Sequence, residues 1–90
     1  MKVTITSNGV IQIDNVAYVG FDMSTLDPSI HAIQWWNDFG EIEIKDINAP
    51  ENKVVLISNV KITDISPYQY FIDMWNIKDE KEKQANNVLL

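Results

Sequence analysis

The stretch that decides the fold is Lys2-Val3-Thr4-Ile5-Thr6-Ser7-Asn8-Gly9-Val10-Ile11-Gln12-Ile13-Asp14-Asn15-Val16-Ala17-Tyr18. Apolar and polar residues alternate with the period of two that a half-buried strand requires. The register follows from the turns. A two-residue Asn8-Gly9 loop would pair Ile5 with Gln12 and throw the two apolar sets onto opposite faces. A three-residue Ser7-Asn8-Gly9 loop pairs Ile5 with Ile11 and Val3 with Ile13, and sets Gly9 where a left-handed residue is wanted. Asp14-Asn15 then makes a two-residue turn that pairs Ile13 with Val16 and Ile11 with Tyr18. Val3, Ile5, Ile11, Ile13, Val16 and Tyr18 share one face of a three-stranded meander.

Outward from this meander, residues 20–30 are rich in turn formers, among them Ser24, Thr25, Asp27, Pro28 and Ser29, and read as irregular. A second hairpin follows. Residues 31–36 meet residues 41–45 across a four-residue Asn37-Asp38-Phe39-Gly40 loop, which pairs Trp35 with Ile42 and Ile33 with Ile44. The opposite face carries Ala32, Gln34 and Trp36 against Lys45, Glu43 and Glu41, while His31 is in the inner-face register at the strand's start, opposite Asp46. Residues 46–52 form a loop, and residues 53–63 hold one strand or two. The unbroken apolar run Val54-Val55-Leu56-Ile57 predicts a central strand covered on both faces. Ser66-Pro67-Tyr68-Gln69 has the form of a capping box with proline at the first helical position. It predicts a helix over 66–85, with Ile65 and Tyr70 at the staple positions and an apolar stripe of Tyr68, Phe71, Ile72 and Trp75. Asp79 and Lys83 are spaced for an ion pair, and residues 86–90 read as a tail.

The sequence therefore predicts a single α+β domain over residues 1–90. It consists of a twisted antiparallel sheet or small open barrel of five to seven strands with one C-terminal helix.

Composition narrows the function. The 90 residues include no cysteine and one histidine, which excludes disulfides, thiolate metal sites, thiol catalysis and multi-histidine metal centres. Thirteen acidic residues face seven basic ones, all lysine, for a net charge of −6. Bulk nucleic-acid binding needs a basic patch that this chain lacks, and bidentate arginine clamps are excluded. No apolar run is long enough to span a membrane, and no cofactor motif is present.

Trp35 and Trp36 are neighbours, so in a strand they point to opposite faces. Trp35 is expected in the core. Trp36 faces outward beside Gln34 and Glu43 and needs cover from the C-terminal helix, another protomer or a ligand. His31 with Asp27, Ser24 and Ser29 suggests a hydrolytic triad, but the nucleophile elbow and oxyanion loop are missing, so a hydrogen-bonded strand-end histidine is the better reading. Glu41 and Glu43 form a carboxylate pair suited to acid–base work or a hard cation, or a solvated strand face. Clean alternation favours the solvated face. Val88-Leu89-Leu90 is either a frayed end or a segment that docks on a neighbouring subunit.

Two strings carry a resemblance. Leu26-Asp27-Pro28-Ser29-Ile30-His31-Ala32-Ile33-Gln34-Trp35 with Gly40-Glu41-Ile42-Glu43, and later Thr63-Asp64-Ile65-Ser66-Pro67-Tyr68-Gln69, resemble a family of small tailed-phage proteins over residues 16–77. Members of that family resemble products of genes near tail and tail-fibre genes. The resemblance implies a phage source and a virion-associated or assembly role, and it brings no catalytic residues.

The expected function is non-enzymatic binding as a homo-oligomer, through Gln34, Trp36, Glu41, Glu43, Lys45 and His31, with Val88, Leu89 and Leu90 as oligomer contacts. The partners are other phage virion proteins. The alternative is a small host signalling ligand, a nucleotide stacked on Trp36 with Lys45 nearby, trapped by a soluble antagonist of host defence. The corresponding locations are the virion or the host cytoplasm.

Overall fold

The computed structural model describes residues 1–50 and 52–88. Six strands form one antiparallel open sheet: β1 (Lys2–Thr6), β2 (Ile11–Ile13), β3 (Val16–Tyr18), β4 (Ile30–Trp36), β5 (Phe39–Lys45) and β6 (Leu56–Ile62). Their spatial order is β3-β2-β1-β4-β5-β6. A 3-10 turn (Ser66–Tyr68) leads into one helix, α1 (Gln69–Val88). The fold class is α+β, as the sequence predicts. The sheet does not close into a barrel, because β3 and β6 are its two free edges.

The meander has the expected register, with Val3 opposite Ile13, Ile5 opposite Ile11, Ile11 opposite Tyr18 and Ile13 opposite Val16. Gly9 takes φ of 89°, the left-handed region the three-residue loop requires. A Cβ there would meet the Phe21 carbonyl oxygen at 2.8 Å. Asp14 (φ 46°) and Asn15 (φ 76°) supply the paired positive φ angles of a tight hairpin turn. β1 then pairs with β4, setting Val3 opposite Trp35 and Ile5 opposite Ile33.

The second hairpin departs from expectation. Its turn is the two residues Asn37 and Asp38, so Trp36 faces Phe39, Trp35 faces Gly40, Gln34 faces Glu41 and Ile33 faces Ile42. The physical reason is steric. Gly40 sits across from Trp35 because a Cβ there would meet the indole Cε3 at 2.9 Å and overlap the Gln34 carbonyl. A slip of two residues leaves every side chain on its predicted face while changing its partner. His31 does not face Asp46. It lies at an irregularity between Ile30 and Ala32, with Ile30 opposite Ile44.

Val3, Ile5, Ile11, Ile13, Ile33, Trp35 and Ile42 line one face and are buried together with Phe71, Ile72 and Trp75 of α1. The helix seats chiefly on β2. Trp75 Nε1 donates to the Val16 carbonyl at 3.0 Å, and the Tyr18 hydroxyl donates to Asp79 Oδ1 at 2.8 Å. Asp79 also pairs with Lys83 at 2.9 Å, the spacing expected from the sequence. The helix start differs from the capping box. Ser66 makes no side-chain cap. Asp64 instead accepts from the Ser66 N–H at 2.9 Å and from the Ser66 hydroxyl at 2.8 Å. Tyr70 is exposed rather than stapled to Ile65. The regular α-helix begins at Gln69, not residue 66, and runs through residues 86–88, which the sequence reading gave to the tail.

Val54 and Val55 precede β6 rather than belonging to a central strand, and residues 56–62 form one edge strand. Hydrophobicity alone does not distinguish a central strand from an edge. With the helix over β2, the β5–β6 end of the same sheet face extends past its cover. The Cα radius of gyration is 14.5 Å, against about 12 Å for a compact chain of this length.

Candidate functional site

Two places on this fold gather the residues singled out in the sequence, and a third emerges from the structure. The first is the sheet face away from α1. Thr4 Oγ1 donates to Gln34 Oε1 at 2.7 Å, and Gln34 Nε2 makes a long 3.4 Å contact with Glu43 Oε2. Gln34 is thus tied into a ladder across β1, β4 and β5. Glu41 lies opposite Lys61 in register. Trp36 points outward as expected, while Trp35 is buried and donates its indole N–H to the Asn37 carbonyl at 3.1 Å. The helix does not cover Trp36. Its companion is Phe39, with ring centroids 5.5 Å apart, so Trp36 is half-buried by its own chain. The sequence reading missed Phe39 because it placed that residue in a loop. The signal that would have found it is the bulk of Trp35, which demands glycine directly across the hairpin.

The second place is the far end of β5. Lys45 Nζ lies 3.5 Å from Ser7 Oγ. Lys45 and Pro28 are shared by two adjoining surface pockets of about 280 and 340 Å3, one toward Ile47, Pro50 and Val54, the other toward Met23, Ser24 and Asp27. Lys45 is six positions along β5 from Phe39, about 20 Å of strand rise. The structure therefore brings together Gln34, Glu41 and Glu43, but it sets Trp36 and Lys45 at opposite ends of the hairpin. One mononucleotide stacked on Trp36 does not reach Lys45.

His31 is close to this end. Its carbonyl accepts from the Ser7 N–H at 3.0 Å, and its Nδ1 is buried without a hydrogen-bond partner among the described residues. Asp27 does not serve it. Asp27 Oδ1 accepts from the Ser29 N–H at 2.9 Å and the Ser29 hydroxyl at 2.8 Å, and these bonds, the backbone one foremost, hold its carboxyl below the usual range. Asp27 and Ser29 act as a turn clasp. Among the described residues no group of three histidine or carboxylate side chains is placed to hold a metal ion. No helix among them is long and apolar enough to cross a membrane.

The third place was not anticipated. None of the residues of β6 is buried. Leu56 (48% exposed), Ile57 (62%) and Val60 (47%) stand in water on a strand that has no neighbour on its outer side among the described residues. The register shift between Ile44 and Lys45 sets Leu56 opposite Lys45 and Val60 opposite Ile42, so apolar side chains emerge on both faces. Of the predicted oligomer contacts, Val88 ends α1, and Leu89 and Leu90 lie outside the described residues.

Comparison of the chain with protein-family models, with curated proteins and with solved structures found no match in any of the three.

Proposed function

We propose that this chain is a non-enzymatic, phage-encoded binding module that works as a homo-oligomer in a virion-associated structural or assembly role. The observation that carries the binding role is β6, an edge strand paired with β5 on one side and, among the described residues, with no partner on the other, with three large apolar side chains exposed. Natural sheets blunt such edges or cover them, because a row of free backbone groups beside apolar side chains is a template for pairing with another chain. A partner that adds a strand here gains main-chain hydrogen bonds and apolar burial together. The phage setting rests on the resemblance carried by residues 26–35, 40–43 and 63–69.

A non-enzymatic role accords with the chemistry available. The chain has no cysteine and one histidine, and the carboxylate nearest that histidine in sequence, Asp27, is committed to Ser29. Gln34 and Glu43 are likewise engaged with their neighbours on the sheet.

The test is mass spectrometry of purified particles of the encoding phage, alongside particles made with Val60→Asp. The expected result is the native chain in the particle and depletion of the variant. Absence of the native chain from particles overturns the virion role, and equal incorporation of the variant overturns the role of β6.

A further inference from the structure

We infer that the first occupant of the β6 edge is a second copy of this chain, paired antiparallel about a two-fold axis at Val60. This rests on the reading of β6 as the binding surface and names its partner.

The backbone fixes which groups are free. The Asn37 N–H donates to the Met1 carbonyl and the Ser7 N–H to the His31 carbonyl. Odd-numbered residues of β4 therefore bond toward β1, and Ala32, Gln34 and Trp36 bond toward β5. In β5 the alternation gives Phe39, Glu41 and Glu43 to β4, and Gly40, Ile42 and Ile44 to β6. Their partners Ile62, Val60 and Ser58 spend their backbone groups on β5. Asn59 and Lys61 are left with N–H and C=O pointing away from the sheet.

Beyond Ser58 the ladder is irregular. The Asp46 N–H donates to the Val55 carbonyl, so two steps along β5 correspond to three along β6. A partner strand thus finds a regular edge only over residues 58–62, whose midpoint is Val60. Antiparallel pairing about that midpoint sets Val60 against its own copy, and Asn59 against Lys61 of the other copy twice. Both of those residues have their backbone groups free. Faces match as well. Val60 stands on the face of Ile42 and Ile44, so the apolar face of one sheet continues into the next.

Charge favours this occupant. Lys61 is the only charged residue of β6, and Glu41 of its own chain lies across from it on the other side. In this register each Lys61 meets the neutral Asn59 of its partner, so no like charges stand directly opposite. Centring one position pair later would oppose Lys61 to itself, and centring on Asn59 would draw the irregular segment into the ladder. The arrangement is isologous, the commonest closed symmetry.

The test uses the absence of cysteine. Single variants Val60→Cys and Ser58→Cys of the full chain are oxidised at about 100 µM protein, with light scattering of the parent chain at the same concentration. Two copies of residue 60 in a non-hydrogen-bonded pair have Cα atoms about 4.5 Å apart, within the range a disulfide spans. Residue 58 and its mate are separated by four positions of strand, about 13 Å, beyond that range. The expected result is a dimer by scattering and a cross-linked yield at least tenfold greater for Val60→Cys than for Ser58→Cys. A monomer with equal, slow cross-linking of both variants overturns the inference. A dimer in which Ser58→Cys cross-links as well as Val60→Cys also overturns it. In either case the particle incorporation of Val60→Asp still reports separately on β6 as a binding surface.

Discussion

Replacing Trp75 with alanine tests whether α1 is held on the β1–β3 half of the sheet, the placement that leaves β6 bare. The Trp75 ring is 7% exposed and packs 5.7 Å from the Tyr18 ring, and its N–H bonds the Val16 carbonyl. Truncating a buried tryptophan costs about 3–5 kcal/mol, the lost hydrogen bond and aromatic contact included. A chain of this length has a total stability of about 5–13 kcal/mol. The variant thus forfeits about a quarter or more of it and melts about 12–40 °C lower. Urea unfolding followed by far-ultraviolet circular dichroism measures this. Trp75→Phe separates the contributions. It keeps one aromatic ring and gives up the N–H and the rest of the indole, and because Val16 is 43% exposed water replaces the donor, so the cost is smaller, about 1–3 kcal/mol. Tyr70→Ala, on the exposed side of the same helix, stays within about 0.5 kcal/mol. A Trp75→Ala cost below about 1.5 kcal/mol, or one no larger than that of Tyr70→Ala, refutes the placement of the helix.

Gly40→Ala pushes a methyl group into the Gln34 carbonyl and the Trp35 ring, so urea titration finds it about 1–3 kcal/mol less stable. Asp64→Ala lowers the urea midpoint more than Ser66→Ala does, the reverse of the order a Ser66 cap would give. Because the Ser66 N–H foremost holds the Asp64 carboxyl below its usual range, its contribution is present above the ordinary carboxylate value and lost as pH falls through the depressed one. Melting curves of Asp64→Ala should therefore have a shallower acid arm. The hydrogen bond to Asp79 foremost raises the Tyr18 hydroxyl above its usual value. That contribution is complete below about pH 10 and fades as pH rises through the elevated value, so Tyr18→Phe should flatten the alkaline arm.

The meander was legible because its signals agree. Alternation, Gly9 and Asp14-Asn15 each demand the same register, and the alternative splits the apolar residues between faces. The second hairpin was less so. Gly40 resembles a turn residue, and only the tertiary neighbour Trp35 reveals that it is a strand residue without room for a side chain. Faces survived the two-residue slip and partners did not, which is why Trp36 was correctly turned outward while Phe39 beside it went unseen. The helix was found through its apolar stripe, but Asp64 and Ser66 are both competent caps by residue type, and composition does not choose between them. The position of β6 was not legible at all. Val54-Val55-Leu56-Ile57 reads the same in the middle of a sheet and at its edge, since strand order follows from how hairpins dock and not from any local pattern.

That last ambiguity also locates the site. Trp36 drew attention as an outward indole, yet Phe39 packs against it, and Gln34 accepts from Thr4 and reaches Glu43, so that face already satisfies much of its own chemistry. β6 does not. Its apolar residues have the composition of a central strand and the position of an edge, a combination that costs solubility in a lone subunit and is resolved when another strand completes the sheet. If Val60→Asp leaves the fold's stability unchanged within about 0.5 kcal/mol while abolishing self-association, the apolar side chain of Val60 serves assembly and not folding. If instead it lowers stability by about 2 kcal/mol or more, Val60 belongs to the core of the single chain, and the exposed edge is no longer the reason for its hydrophobicity.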